Sequence, residues 1–581
     1  MKNKEKSKQI GFRDLGMLIV RSKIPWGWVV VSFLFNLYYN RILFNLPVTT
    51  GRLLGGDLSY GALAEALTGY VLYAVCAVIQ ALVRAFSLSV TTRSARRQLW
   101  NRMLKINEAY FDKVNSGEML STVTYDVAYA MPTLVNLLVA VVPDIIYVVK
   151  ALNMVNTYDT TLLLVLIAFL PMKYVYTVLI GRKVYKTEAA VRSTTGVLTS
   201  KIEERLQNVS LIKSFNREET ESEAGADSIK KLYDADVAVA RLGGISLTLE
   251  QAIELAQQFI MMVIAVILLQ NGKIDISQWI AFFLFSNNLS TKFATLIEDW
   301  MSVKTISGSL DRTTKLYRAP VEDMNENGKP MENVEDDTLV LDNVSFCYGE
   351  NKALSNVTFE IPHGQKVAIV GSCGSGKSTT LALLERFYNP TEGSITLGGT
   401  PISDFRMKDY RSRIAYVPQS HQVFTGTLRE ALLYGNNDEN ISDESILVAA
   451  KQTGFDGYIT MQDEGLDAML KNGGDMMSGG QLQKLLLTRE NLRDCRIVLM
   501  DEPASALDAQ SSQIVKKLIL EDFKDKTVVV VTHDLTFVDE MDQIIMLDEG
   551  KLVDKGTYPA MLERCAEFRT LVENQSVEVT E

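Results

Sequence analysis

The apolar residues of this 581-residue chain follow two different patterns. Before about residue 310 they gather into long runs, and from Leu339 onward they fall into short β-rich runs that alternate with helical ones. Six long runs, 25–47, 60–83, 132–155, 159–181, 245–270 and 276–297, approach the ~20 residues a helix needs to cross hydrocarbon. The last is the least clear, being interrupted by Asn287, Asn288 and Lys292. Two polar connections, 88–130 and 182–244, keep a helical pattern, so the spans are expected to continue as helices beyond the bilayer. Pro143 and Pro171 lie mid-span and predict kinks. Residues 318–338, with Glu322, Asp323, Glu326, Glu332, Glu335, Asp336 and Asp337, predict a solvated linker.

Charge refines this picture. The formal net charge of −11 argues against a nucleic-acid partner. Basic residues crowd the N-terminus (Lys2, Lys4, Lys6, Lys8, Arg13) and the long connections (Arg93, Arg96, Arg97, Arg102, Lys105; Arg182, Lys183, Lys186, Arg192). The short connections near 48–59, 156–158 and 271–275 hold only Arg52 and Lys273. That bias places the N-terminus and the long connections in the cytosol. The first apolar run starts late and lacks a small-residue cleavage site, so it reads as a retained helix rather than a signal peptide. Trp26 and Trp28 suit an interfacial belt. Arg41, Glu65, Asp144, Lys150, Lys173, Glu250, Glu254 and Lys292 fall within spans, where each needs a partner or a wet cavity. They form either structural ion pairs or a polar cavity for a zwitterionic or amphipathic cargo; Arg41 and Glu65 are expected to pair. The five cysteines show no metal or disulfide spacing, and the three histidines are scattered.

The second half carries nucleotide chemistry. Lys366–Val370 reads as a buried strand running into Gly371-Ser372-Cys373-Gly374-Ser375-Gly376-Lys377-Ser378 and then a helix from Thr379 to about Phe387. Strand, glycine-rich loop and helix together make a phosphate-binding loop: backbone N–H groups face phosphate oxygens, Lys377 reaches the β- and γ-phosphates, and the Ser378 hydroxyl suits Mg²⁺. A second strand, Arg496–Met500, ends in Asp501 and Glu502, a carboxylate for Mg²⁺ and one to polarise water. A third, Val528–Val531, delivers Thr532 and His533, the latter placed for a γ-phosphate contact.

Between these elements lies Met477-Ser478-Gly479-Gly480-Gln481. With it the chain resembles the ATP-binding cassette (ABC) superfamily, specifically the exporter-type half-transporters, from about residue 11 to 575. The resemblance implies an α-helical six-span transmembrane domain followed by an α/β P-loop NTPase, the ABC ATPase domain. Its expected bounds are a cytosolic N-terminus with an elbow helix over 1–24, the membrane domain over 25–315, a linker over 316–338, the nucleotide-binding domain over 339–575 and a tail over 576–581. It further implies that Tyr348 stacks on adenine, that Gln419 senses Mg²⁺, and that Ser478, Gly479, Gly480 and Gln481 close on ATP held by the opposite cassette. Asp501 then binds Mg²⁺, Glu502 is the catalytic base, Ser505-Ala-Leu-Asp508 links the two sites, and His533 is the switch histidine. Phe111–Glu118 with Thr124 and Asp126, and Ser214–Glu218, resemble the connections that carry coupling helices. ATP and Mg²⁺ are the implied cofactors.

The implied partners are a second half-transporter, self or related, a lipid bilayer and an unidentified exported substrate. The setting is a bacterial inner membrane with the ATPase in the cytosol. The implied function is ATP-driven export by alternating access, with lipid flipping and an ATP-gated regulator or channel as alternatives. The sequence departs from the family at Met477 for leucine, Lys484 for arginine and Ala504 for threonine. Leu470-Lys-Asn-Gly-Gly474 replaces the usual Val-Gly-Glu-Arg-Gly, which tilts the reading toward a heterodimer.

Overall fold

A computed structural model describes residues 12–114, 116–331, 334–420, 422–436, 441–470, 477–535 and 538–578. Met1–Lys105 and Val114–Ala319 form one compact unit, and Ile106–Lys113 with Pro320–Glu581 form another.

The first unit is helical. A short helix, Phe12–Arg21, precedes the helices Trp26–Leu54, Tyr60–Met103, Met119–Tyr158, Thr160–Gln207 and Glu218–Gln270. Among the described residues these five are long and apolar enough to span a membrane. The sixth expected segment is also a helix, Ile276–Thr305, whose Asn287, Asn288 and Lys292 lower its hydropathy. The Tyr60–Met103, Thr160–Gln207 and Glu218–Gln270 helices run 44, 48 and 53 residues, well beyond bilayer thickness, as their continuing patterning predicts.

The expected Arg41–Glu65 pair is not what forms. Glu65 pairs with Arg52, at 3.9 Å. The Trp26–Leu54 and Tyr60–Met103 helices make a hairpin with a tight turn, so residues near its mouth face each other and Arg41 lies deeper. At that depth the facing residues are Tyr39 and Tyr73, with ring centroids 5.3 Å apart and hydroxyls 3.0 Å apart.

The Met119–Tyr158 helix is interrupted by π-turns at Thr122–Asp126 and Leu137–Val141. Pro143 follows the second, where the wider turn accommodates its missing N–H. A polar seam joins this helix to the Ile276–Thr305 and Ser307–Arg318 helices. Arg312 grips Asp126 through two 2.6 Å bonds, Asn136 donates to Asp299 at 3.2 Å, and Lys292 meets Asp144 at 2.6 Å. Asn40 also donates to Asp144, at 2.9 Å. Two of the membrane-depth charges, Asp144 and Lys292, thus form a structural ion pair. Lys173 donates to the Ser290 hydroxyl.

The second unit is built on two sheets. The first is antiparallel, ordered β2 (Asn351–Ile361), β1 (Leu339–Tyr348), β4 (Glu392–Leu397), β5 (Thr400–Pro401). The second is ordered β12 (Lys551–Gly556), β11 (Gln543–Asp548), β3 (Lys366–Val370), β10 (Thr527–Val531), β9 (Ile497–Asp501), β6 (Ile414–Val417). All its neighbours pair in parallel except β12. A two-stranded ribbon pairs β7 (Gly426–Thr427) with β8 (Met469–Leu470). β3, β9 and β10 are buried at every position, which is why each reads as four consecutive apolar residues (Val367–Val370, Ile497–Met500, Val528–Val531) rather than an alternating pattern. The register pairs Val531 with both Ile369 and Asp501. The loops after β3, β9 and β10 therefore emerge side by side at the carboxyl edge, where open α/β sheets bind ligands.

Candidate nucleotide site

The loop after β3 needs its glycines. Gly371, Gly374 and Gly376 hold φ of 149°, 80° and 97°. A Cβ on Gly371 would strike the Leu547 carbonyl, and one on Gly376 would lie 2.8 Å from the Ala353 carbonyl. Lys377 opens the helix Lys377–Leu384. Its Nζ folds back to donate to the Gly371 and Ser372 carbonyls at 2.9 and 2.8 Å. Burial pushes this ammonium below the usual lysine range, with Cys373, Glu502 and Asp501 opposing the shift. Ser372 donates to Asp548 at 2.6 Å, Cys373 is exposed, and Thr379 lies in the first turn of the helix.

Asp501 ends β9 and is buried. Burial pushes its carboxyl above the usual range, while a hydrogen bond with Ser378 opposes the shift. Its Oδ1 and the Ser375 hydroxyl are buried without hydrogen-bond partners, which is costly unless a ligand completes them. Among the described residues no cluster of three or more His, Cys, Asp or Glu side chains could hold a metal. A single carboxylate beside a hydroxyl instead fits Mg²⁺, which takes its other ligands from phosphate and water.

Glu502 follows directly and adopts φ 52°, a left-handed conformation that non-glycine residues seldom hold. Its N–H donates to Val531 at 2.8 Å, fastening this bend across β10. The carboxylate accepts from Gln419 Nε2 at 2.8 Å and lies 3.1 Å from His533 Nδ1. Gln419 follows β6 and His533 follows β10, so three strand ends converge on one carboxylate. Such an arrangement can hold a water against a phosphoryl group and accept its proton.

Ser478 caps the helix Gly479–Asn491 in a reciprocal box with Gln481: Gln481 N–H donates to the Ser478 hydroxyl at 3.2 Å, and Ser478 N–H to Gln481 Oε1 at 2.9 Å. The helix N-terminus is thereby prepared for an anion. Gly480 packs against the following loop, where a Cβ would sit 3.0 Å from the Ala506 carbonyl. Asp508 caps Ala509–Lys517, and the Ser511 backbone N–H holds its carboxyl below the usual range. Among the described residues no hydrogen bond joins Ser478–Gln481 to Gly371–Thr379. Of the altered stretch, Leu470 ends β8, and residues 471–474 lie outside the described residues.

Tyr348 ends β1, 39% exposed. The β1–β2 register pairs Phe346 with Leu354, and Leu354 and Ala353 abut Gly376, so the hairpin carries Tyr348 toward the phosphate loop. Gln483 was not singled out from sequence. It is 2% exposed, donates to the Glu502 carbonyl at 3.1 Å and accepts from Ala506 N–H at 3.3 Å, tying the capped helix to the Glu502 bend. Its signal is the second glutamine of Gln481-Leu-Gln483: one residue caps, the other faces inward.

Cys373 offers a direct probe of the loop. N-ethylmaleimide is expected to inhibit ATP hydrolysis, with ATP protecting, because Cys373 is exposed within the glycine-rich loop and an adduct there would crowd it. Full sensitivity in Cys373→Ala would assign the inhibition to another cysteine and refute this expectation.

Comparison with known proteins agrees with this architecture. A family model described as "ABC transporter" matches residues 354–505, and one described as "ABC transporter transmembrane region" matches residues 29–293. The "ATP-dependent lipid A-core flippase" of Vibrio vulnificus (strain CMCP6) is 29% identical, over 82% of this chain and 82% of its own. The "Multidrug resistance ABC transporter ATP-binding and permease protein" of Lactococcus lactis subsp. cremoris (strain MG1363) is 26% identical, over 87% of this chain and 85% of its own. A solved structure of a bacterial Atm1-family ABC exporter with ATP bound superposes with a TM-score of 0.79 at 23% identity, covering 94% of this chain and 98% of its own, and so shares the fold. With a helical membrane region and a nucleotide-binding ATPase domain fused in one polypeptide, this chain belongs to the ABC transporters as an integral membrane exporter that couples ATP hydrolysis to transport.

Proposed function

We propose that two such chains, identical or related, pair so that ATP lies between Gly371–Thr379 of one and Ser478–Gln481 of the other. The carrying observation is that Gln419 and His533 converge on Glu502, while the capped helix N-terminus at Ser478–Gln481 forms no hydrogen bond to the phosphate loop among the described residues. A second copy supplies the missing anion cap.

In this reading Lys377 exchanges its two backbone carbonyls for the β- and γ-phosphates, and Tyr348 stacks the base. Ser378, Asp501 and Gln419 would hold Mg²⁺, which would supply neutralisation of phosphate charge. Glu502 accepts the proton of the attacking water, and His533 steadies the carboxylate and the γ-phosphate. Asp508 fixes the loop beside the interface. Because ATP then binds the closed pair more tightly than the open one, its binding and loss shift the population between two membrane states.

An exposed apolar patch also supports pairing. Leu206, Leu211 and Phe215 are 68, 57 and 69% exposed around the short helix Val209–Ser214 of the second polar connection, outside the expected spans. The named relatives favour an amphipathic cargo, lipid or drug-like, moved out of a bacterial inner membrane with the ATPase in the cytosol. We assign 25–315 to the membrane domain, apart from Ile106–Lys113, which folds with the ATPase unit, and 339–575 to the nucleotide-binding domain.

The test is Mg·ATP hydrolysis by the chain purified alone in lipid, with Glu502→Gln as the blank. Activity above the blank means self-pairing suffices. A folded, ATP-binding but inactive chain requires a related partner half, and co-expression with one must restore turnover. Failure of both sinks the shared-site reading.

A further inference from the structure

The segment Ile106–Lys113 follows the Tyr60–Met103 helix in the chain, yet it folds with the ATPase unit. Asn107 N–H donates to the Pro320 carbonyl at 3.2 Å, and Ile106 bridges Val321 in antiparallel fashion. Near the end of the segment lies Asp112, whose Oδ2 accepts a 2.6 Å hydrogen bond from the Tyr388 hydroxyl. A charged acceptor at that distance makes this a strong, orienting bond.

Tyr388 in turn braces Tyr348. Their rings meet at 82° with centroids 5.2 Å apart, and Phe346 meets Tyr348 at 88° and 4.8 Å. Phe346 and Tyr388 also touch, at 5.3 Å. Edge-to-face pairs of this kind are favourable and directional. Two near-perpendicular rings therefore fix the plane of Tyr348. A cavity of about 1050 Å³ borders Tyr348, Tyr388, Asp112 and Lys113, but no residue of Gly371–Thr379 lines it. The aromatic cluster itself lines this cavity, which is therefore not the phosphate site.

We infer that Tyr388, oriented by Asp112, is a positioning residue for nucleotide-base recognition: it sets the plane of Tyr348, so that a segment continuous with a membrane helix contributes to purine binding. This rests on the reading of Tyr348 as the base platform. An exposed aromatic ring that is free to swing loses rotational freedom when a base stacks on it, and a braced ring has already lost it. The consequence is confined to the base. Phosphate contacts come from another loop and do not pass through Asp112 or Tyr388.

The experiment uses the full chain in lipid nanodiscs, measuring ATP affinity and, separately, competition by inorganic tripolyphosphate, which has no base. Tyr348→Ala is measured first. Tyr388→Phe keeps the ring and removes the hydroxyl; Asp112→Ala removes the acceptor; Asp112→Asn keeps one. The expected result is a loss of ATP affinity of about threefold to tenfold in Tyr388→Phe and Asp112→Ala. The double variant should be no weaker than either single one. Asp112→Asn should recover most of the loss, and tripolyphosphate binding should change by less than about twofold throughout. If Tyr348→Ala weakens ATP but Tyr388→Phe and Asp112→Ala do not, the positioning role is wrong. Parallel losses for ATP and tripolyphosphate would reduce the pair to a fold-stabilising contact and overturn the inference as well. If Tyr348→Ala leaves ATP affinity unchanged, the platform reading beneath it fails instead.

Discussion

Glu502→Gln should abolish turnover while leaving ATP bound. The substitution keeps the size and a hydrogen-bonding group for Gln419 and His533, but an amide cannot accept a proton from the attacking water. Loss of a general base typically costs about 10²–10⁴-fold in rate. Phosphate release by the purified chain, or by the chain with its partner half, should fall by that factor. ATP affinity should stay within about twofold, because the charge removed does not touch the ground-state phosphates in this reading. Retention of more than about a tenth of the activity would remove Glu502 from the role of base and point to the strained bend itself as structural. The left-handed φ of 52° gives a second reason to expect sensitivity here. The bend is held by the Val531 carbonyl on one side and Gln483 on the other, so it aims the carboxylate at the loop after β3.

The second large effect belongs to the membrane unit. Asp144 and Lys292 have side chains only 5% and 16% exposed and lie 2.6 Å apart. Removing one partner of a buried ion pair leaves an uncompensated charge, at a cost of about 3–5 kcal/mol. Asp144→Ala or Lys292→Met should therefore lower thermal stability in detergent steeply. The double variant Asp144→Leu/Lys292→Met should recover at least half of the loss, since no charge is then stranded. Asp144→Asn should be milder than Asp144→Ala because Asn40 keeps a hydrogen-bond acceptor. If the double variant is as unstable as the sum of the singles, the two charges act independently. They would then not be a structural pair, and the cargo-cavity reading for these residues would regain its place.

Much of the site was legible because its chemistry is local. Gly371 to Ser378 are contiguous, and each glycine answers a backbone requirement that sequence records directly. Asp501 and Glu502 follow an apolar strand, as do Thr532 and His533, so strand ends and chemistry could be read together. Gln483 and Tyr388 were missed for the opposite reason. Neither stands at a strand end or in a glycine loop, and their value comes from partners 19 and 276 positions away, Glu502 and Asp112. The membrane ion pairs show the same division. Sequence identified which charges needed partners, but not the partners. Arg41 and Glu65 looked alike in depth, and only the geometry of the hairpin turn sets Glu65 against Arg52.

By itself, then, the sequence determined the six apolar segments and their helical extensions, the order of membrane half and ATPase half, and the phosphate-loop chemistry. Hydrophobic run length and contiguous backbone motifs depend on neighbours along the chain. Tertiary structure alone decided that Gln419 and His533 meet on Glu502, that Asp144 finds Lys292, and that Ile106–Lys113 folds with the ATPase unit. Those outcomes depend on strand register, helix phase and the angle of a turn. Small displacements of each change which distant side chains come within bonding distance, and no local pattern of residues encodes them.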